Sequence, residues 1–318
     1  MVLKHQAQRA GKLLTFLRRE LELSSSLVKR LKWQEALLVN GKPAKTDHPV
    51  EIGDLITVQL EEAQPEFPPE NGPLEILYED EALLALDKPA GLLMHPSFYR
   101  NTGTLANYVL GYYVRTGQPC AIHPVSRLDR DTFGVVLLAK NAHIHARMMQ
   151  QLRSGQVQKT YEALVWQGPE ADRGSWNFPI ARRPGESLLR EVRPDGQPAE
   201  TRYAVTERGT GWSRLRLEPV TGRTHQLRVH CAHAGIPILG DPQYGTEESL
   251  VLSAAMGLSH QQLWAASLCF FHPVTGEPVC LQSKLQLPGQ EDVSSGSQNC
   301  LASITKTGSR IMPNTPKK

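Results

Sequence analysis

Three short segments carry residue types able to do chemistry. The first runs Ser126-Arg127-Leu128-Asp129-Arg130-Asp131-Thr132-Phe133-Gly134 and leads into the apolar stretch Val135–Ala139. Two arginines and two aspartates fall between Arg127 and Asp131, so some of these charges must lie at the edge of the core. A carboxylate held there needs a cationic partner, and its proton affinity becomes tunable. A merely charged turn at a strand mouth has the same composition. The second segment is Thr221-Gly222-Arg223-Thr224-His225-Gln226-Leu227-Arg228-Val229-His230. Gly222 permits a tight turn, and Thr221 or Thr224 can cap a helix from Thr224 to Ala234 that ends at Gly235. Arg223 would then stand at the helix entry, able to grip a carboxylate or phosphate with both prongs. The third segment is Lys159-Thr160-Tyr161-Glu162-Ala163. Alternation puts Lys159, Tyr161 and Ala163 on one face of a strand. A tyrosine there serves either as core or, at a site edge, as a ring to stack on with a hydroxyl to offer.

The histidines His225, His230 and His233 lack the spacing of a metalloprotease pair, and no cysteine cluster completes a coordination sphere, so no metal is expected. Five cysteines, Cys120, Cys231, Cys269, Cys280 and Cys300, are scattered, and reduced thiols are the simplest expectation. The chain has 318 residues, 35 Lys and Arg against 32 Asp and Glu, and 40% hydrophobic residues. No apolar run approaches the roughly 20 residues a membrane helix needs, and the N-terminal residues do not read as a secretory signal. A membrane protein, a disordered chain and a disulfide scaffold are excluded, and a cytoplasmic protein is expected.

The elements that must position the three segments follow from pattern. Residues 1–62 read as a module: a helix with Leu13, Phe16 and Leu17 on one stripe, a second helix capped near Ser24, an Asn40-Gly41 hairpin and a strand over 55–60. Lys29, Arg30 and Lys32 on the second helix form a candidate phosphate-binding face. Residues 63–73 are a Pro-rich linker, and residues 291–318 a disordered tail. Between them, 74–290 holds short apolar runs at 76–78, 83–86, 135–139, 161–165 and 215–217, read as strands, and a helix capped by Asn141 and stopped by Gly155. Strands dominate and helices are few, so the expected fold is α+β with a mixed sheet.

The Asp129 segment, the Lys-x-Tyr segment and Gly222-Arg223-Thr224-His225-Gln226-Leu227-Arg228 together resemble the RluA-type pseudouridine synthases. So do Asp87-Lys88-Pro89-Ala90-Gly91, Gly240-Asp241-Pro242-Gln243-Tyr244-Gly245 and Phe271-His272-Pro273-Val274-Thr275-Gly276-Glu277. The leading module resembles the S-four-like RNA-binding module. The resemblance implies a mainly antiparallel sheet and isomerisation of uridine in RNA to its carbon-linked isomer, without cofactor or metal. It implies Asp129 as the catalytic carboxylate, Arg223 as the arginine pairing with it, Tyr161 packing on the target base, and Leu227 at the base pocket. Arg127, Arg130 and Arg228 are expected to contact RNA. The RNA is expected to be ribosomal, with transfer RNA as the alternative, and the protein a monomer. Three positions depart from the family pattern: Ser126 stands where a His is usual, Phe133 where a Ser is usual, and Trp264 where a His is usual. A non-catalytic RNA-binding protein on the same scaffold is the rival these departures motivate, and Phe133 is expected to reshape the nucleotide entrance.

Overall fold

Local signals set the first elements. In the computed structural model, which describes residues 2–60, 67–97, 99–118, 121–185 and 189–288, strands β1 (Val2–Gln6) and β2 (Gly11–Lys12) precede helices α1 (Leu13–Arg19) and α2 (Ser25–Trp33). The Ser24 hydroxyl accepts the Leu27 N–H at 3.2 Å and caps α2. Strands β3 (Leu37–Val39) and β4 (Lys42–Pro43) are joined through Asn40 and Gly41, both at positive φ, as a two-residue hairpin turn requires. Then come β5 (Pro49–Val50) and β6 (Leu55–Gln59), with β6 lying between β1 and β3. Leu13, Phe16, Leu17, Leu31, Ile56 and Val58 meet in one buried cluster. Lys29, Arg30 and Lys32 stay exposed on α2.

The remaining elements are β7 (Glu75–Glu79), β8 (Leu83–Lys88), α3 (Leu105–Arg115), β9 (His123–Pro124), β10 (Phe133–Ala139), α4 (Ala142–Arg153), β11 (Gln158–Trp166), β12 (Arg173–Trp176), β13 (Ile180–Arg182), β14 (Arg190–Val192), β15 (Thr201–Gly209), β16 (Trp212–Pro219), α5 (Gln226–His233), α6 (Glu247–Ala255), β17 (Leu263–Phe271) and β18 (Pro278–Gln282). The sequence-predicted strands and the Asn141-capped helix are all present. The α+β class is as expected. A ten-stranded sheet runs β12-β15-β16-β11-β17-β10-β8-β7, with β18 beside β17 and β9 beside β10. All its pairings are antiparallel except β10 with β17. Part of the stretch read as linker is tied to α3. The Glu70 N–H donates to the Asn107 carbonyl at 3.0 Å, and the Asn107 amide donates to the Pro68 carbonyl at 2.9 Å. Residues 61–66 and the expected tail lie outside the described residues.

The parallel contact is tight. Gly134 pairs with Ala265 at a φ of 110°, and a β-carbon there would stand 2.3 Å from the Ala265 carbonyl oxygen. Only glycine fits, because both the dihedral and the space exclude a side chain. Gly134→Ala is expected to cost about 3 kcal/mol or more, combining backbone strain with overpacking. Urea denaturation checks this, and a destabilisation below about 1 kcal/mol would contradict it.

Two expectations are corrected here. Phe133 is buried and shares a cluster with Leu164, Leu239 and its register partner Trp264. It fills the core instead of shaping an entrance, so two of the departures from the family pattern form one packing pair. Cys269 and Cys280 are not separate reduced thiols. They are cross-strand partners on β17 and β18, 4.1 Å apart at Cα, and form a disulfide. Cys231 is free and buried, while Cys120 and Cys300 lie outside the described residues.

Candidate active site

Asp129 sits in the turn that enters β10. Its carbonyl accepts the Thr132 N–H at 3.2 Å, and the Thr132 hydroxyl accepts from the Gln261 amide at 2.6 Å. The end of β8 fixes the same turn from below. Lys88 is fully buried, and its ammonium donates to the carbonyls of Pro89 (2.9 Å), Leu92 (2.8 Å) and Arg130 (2.8 Å). Burial pushes its pKa down to about 8, while the charges of Asp131 and Asp129 pull it back up. All three ammonium protons are engaged, so the turn cannot drift without breaking a charged hydrogen bond.

The guanidinium beside Asp129 belongs to Arg228, not to Arg223. Arg228 Nη1 donates to Asp129 Oδ2 at 3.1 Å. Its Nε and Nη2 donate to the two oxygens of the fully buried Asp241, at 2.7 and 2.8 Å, and Nη2 also reaches Gln243 Oε1 at 2.7 Å. The plane lies over the Tyr244 ring, 4.9 Å from its centroid. Burial opposes this charge, but the Asp241 and Asp129 carboxylates outweigh it and raise the arginine pKa. Arg228 is 4% exposed, which also corrects its placement as an RNA contact: it is the floor of the site. Arg223 is exposed and donates from Nε to the Pro198 carbonyl at 3.0 Å.

The helix start explains the exchange. Helix α5 begins at Gln226, two residues later than Thr224, because His225 takes a left-handed conformation with φ 57°. The Gln226 amide oxygen then accepts from the Arg223 N–H (3.0 Å) and the Thr221 hydroxyl (2.8 Å), closing the turn that the threonines were expected to cap. This break points Arg223 outward and turns Arg228 in.

Strand β11 brings the tyrosine. Tyr161 pairs with Ala265, the same residue of β17 that pairs with Gly134, so one strand position spaces both Tyr161 and the turn of Asp129. Tyr161 packs against two buried clusters, one with Leu128 and the other with Leu227. Burial, and then the Asp129 charge, push its phenol up, so it is protonated in the free protein. His225 and Tyr244 add a chain that sequence reasoning missed. The Tyr244 hydroxyl accepts the Arg190 N–H at 2.9 Å and lies 2.8 Å from His225 Nδ1, while His225 Nε2 is 3.9 Å from Asp129 Oδ2. Burial holds the His225 pKa below its ordinary value. In the neutral tautomer whose Nδ1 accepts the Tyr244 O–H hydrogen bond, the ring proton is on Nε2, facing the carboxylate. His230 is occupied elsewhere, its Nε2 lying 3.0 Å from the Phe178 carbonyl and its Nδ1 3.0 Å from the Thr201 hydroxyl. The sequence signals for Asp241, Tyr244 and Lys88 were the Gly240–Gly245 and Asp87–Gly91 strings, which carried no role on their own. Arg127 is exposed, and Arg130 grips Asp131 at the surface with Nη2 2.8 Å from Oδ2.

Asp129 therefore presents a part-exposed carboxylate, 28% accessible, on a buried guanidinium fixed by a second carboxylate. The family profile described as RNA pseudouridylate synthase matches residues 82–233. A ribosomal large subunit pseudouridine synthase D of Xanthomonas campestris is 37% identical over 263 residues, covering 80% of this chain and 79% of that protein. The chain belongs to the RNA pseudouridine synthase family. An Escherichia coli ribosomal large subunit pseudouridine synthase D is 34% identical, with 80% of this chain and 81% of that protein covered. An RNA pseudouridine synthase of Bacillus subtilis is 33% identical over 89% of this chain and 92% of its own length. The structure of the human RNA pseudouridylate synthase domain containing 1 protein superposes with a TM-score of 0.56 at 21% identity, covering 75% of this chain and 97% of that one, and shares the fold. As a pseudouridine synthase the chain is an isomerase, and the Asp129–Arg228–Tyr161 group is where the three chemistry-bearing segments of the sequence meet.

Proposed function

We propose that the protein converts a uridine of large-subunit ribosomal RNA to pseudouridine, with Asp129 as the reacting carboxylate. One observation carries this reading: Asp129 is the part-exposed anion of a group whose other charges are buried and mutually fixed, so it is the carboxylate left open to a substrate. A base inside a duplex cannot reach it, so the target nucleotide must be flipped out. Asp129 then either attacks the sugar carbon or takes a sugar proton; the glycosidic bond breaks, and the freed uracil turns and rejoins through carbon. Arg228 holds the carboxylate in place beforehand through its Nη1 hydrogen bond to Oδ2. Tyr161 covers the base together with the apolar wall that includes Leu227.

Tyr161 also has a chemical part in this reading. Burial, and after it Asp129's charge, raise the phenol pKa in the free protein. If the carboxylate becomes an ester on the sugar, that charge disappears while Arg228 remains, so the phenol can give its proton to N1 of the released uracil anion and, as phenolate, take the C5 proton back once the new carbon–carbon bond has displaced the ester. A positioned acid–base group is worth about 10²–10⁴ in rate. Tyr161→Phe is expected to lower the single-turnover rate by that order while leaving RNA affinity unchanged. An unaltered rate would reduce Tyr161 to packing.

The reading places residues 1–62 as an RNA-binding module, residues 74–290 as the catalytic domain, and the protein as a cytoplasmic monomer. Among the described residues no helix is long and apolar enough to cross a membrane. Lys29, Arg30 and Lys32 lie on one exposed helix, where phosphate contacts release counterions. Reversing their charge is expected to weaken binding and flatten its salt dependence; an unchanged slope would remove them from the interface. The test of the whole reading is carbodiimide mapping of pseudouridine in total RNA from cells with and without this gene. Disappearance of one or a few ribosomal sites, restored by the gene, supports it. Disappearance confined to transfer RNA would move the substrate, and an unchanged map would end the reading.

A further inference from the structure

The N-terminal module carries an aromatic side chain that neither the chemistry nor the packing uses. Of the five tryptophans, Trp176 and Trp264 are buried and Trp166 and Trp212 half-buried, but Trp33 is 80% exposed. It is the last residue of α2, and the stop behind it is fixed. Glu35 takes a left-handed φ of 52°, the Gln34 N–H donates to the Arg30 carbonyl at 3.2 Å, and the Ala36 N–H donates to the Leu31 carbonyl at 3.1 Å. Val28 and Leu31 point from α2 into the module's core. Lys29 and Arg30 stand four and three positions before Trp33, so the three share the opposite, exposed face, with Lys32 at its edge. The helix has no carboxylate of its own. Glu20 and Glu22, earlier in the module, are held by Arg9 (3.0 Å) and Arg147 (3.2 Å). Among the described residues no ion pair holds Lys29, Arg30 or Lys32, and no ring or cation covers the Trp33 indole.

An exposed indole leaves a large apolar surface in water. Set among cations, it suits a ligand that has both a flat apolar face and a negative backbone. Resting on the reading that the substrate is RNA, we infer that Trp33 is a stacking platform for an unpaired base of that RNA, with Lys29, Arg30 and Lys32 on the flanking phosphates. The cations alone would serve any phosphate backbone, duplex or not; the ring adds a requirement. A base inside a duplex has both faces covered by its neighbours, so the ring selects a looped, bulged or single-stranded nucleotide. Every base has a face to stack, so the contact sets the shape of RNA the module accepts and not its sequence. A protein partner fits less well. The cores of protein interfaces are depleted of charge around their aromatic anchors, whereas Trp33 has a cation at both of its helical neighbours, Lys29 and Arg30.

The test uses the full chain with two probes that hold no uridine: an unpaired oligocytidylate and a guanine–cytosine RNA duplex of the same length. Binding constants are measured against salt concentration. Trp33→Ala is expected to weaken binding of the unpaired probe about tenfold, within the range that one stacked base contributes. Duplex binding should stay as it was. The salt slope for the unpaired probe should also stay, because a ring releases no counterions. Trp33→Phe keeps a ring and should lose less than Trp33→Ala. The unpaired probe should quench tryptophan fluorescence in the unaltered chain and much less in Trp33→Phe. Unchanged affinity in Trp33→Ala overturns the platform and leaves the ring to a protein partner. An equal loss on both probes, or a flattened slope, also overturns it, as a disturbance of the cations on the helix. If the unaltered chain binds neither probe, the platform fails together with the RNA-binding module. These readouts do not depend on isomerisation, so a failure of the platform and a failure of the proposed reaction are told apart.

Discussion

Asp129→Asn is expected to abolish pseudouridine formation, by at least about 10⁴-fold in single turnover, because a residue carrying the bond-breaking step exceeds an ordinary acid–base contribution. RNA affinity should change by less than about threefold. The carboxamide has the same shape, and its oxygen can still accept from Arg228 Nη1, which sits 3.1 Å from the native Oδ2. Arg228 also keeps Asp241 and Gln243, so it is not left buried without a counter-charge. The turn is held by Lys88, Thr132 and Gln261, none of which touches the carboxylate. What disappears is the charge. Measurable product from the Asn variant would remove Asp129 from the reaction, and a large drop in RNA binding would make it a recognition residue instead.

The contrast between Asp129 and the residues beneath it marks how far the sequence could be read. Short-range chemistry was legible. Ser24 and Asn141 cap the helices they precede, with acceptor distances of 3.2 and 2.9 Å, and Asn40-Gly41 makes its hairpin. Each depends on side chains within a few residues of the backbone they serve. Asp129 was legible because charges clustered against a buried strand must find counter-charges at the core edge. The arginine was not. Arg223 and Arg228 sit five residues apart in one stretch whose pattern reads as a single helix, and which of them faces inward depends on the left-handed turn at His225, a conformation that residue types alone do not announce. Asp241 decides the matter from 13 residues beyond Arg228 and 112 beyond Asp129, and only the folded sheet brings it under both. The disulfide has the same origin: spacing did not pair Cys269 with Cys280, but the register of β17 against β18 does. Phe133 shows the opposite failure. As one residue it looked like a change at the site, and only its neighbour Trp264 reveals a packing exchange.

The buried arginine gives the second large effect. Arg228→Met should cost about 3–5 kcal/mol, because it strands a fully buried carboxylate. Asp241 would keep only the N–H groups of Gln243 (3.0 Å) and Tyr244 (3.3 Å). Activity should fall with it, since Asp129 loses its guanidinium partner. Taken alone, that result confuses stability with chemistry. The double change Arg228→Met with Asp241→Leu separates them. Two apolar side chains need no counter-charge, and replacing a buried ion pair by apolar residues is often neutral in stability. The double variant is therefore expected to regain most of the lost melting temperature while its rate stays down by about 10² or more, since no guanidinium then orients Asp129. Recovery of both would mean that Arg228 serves the fold alone. Recovery of neither would mean that Gln243 and Tyr244, which touch the guanidinium directly, depend on it for their own placement. The expected split, stable but slow, follows from one geometric fact: the same guanidinium spends two of its nitrogens on Asp241 and the third on Asp129.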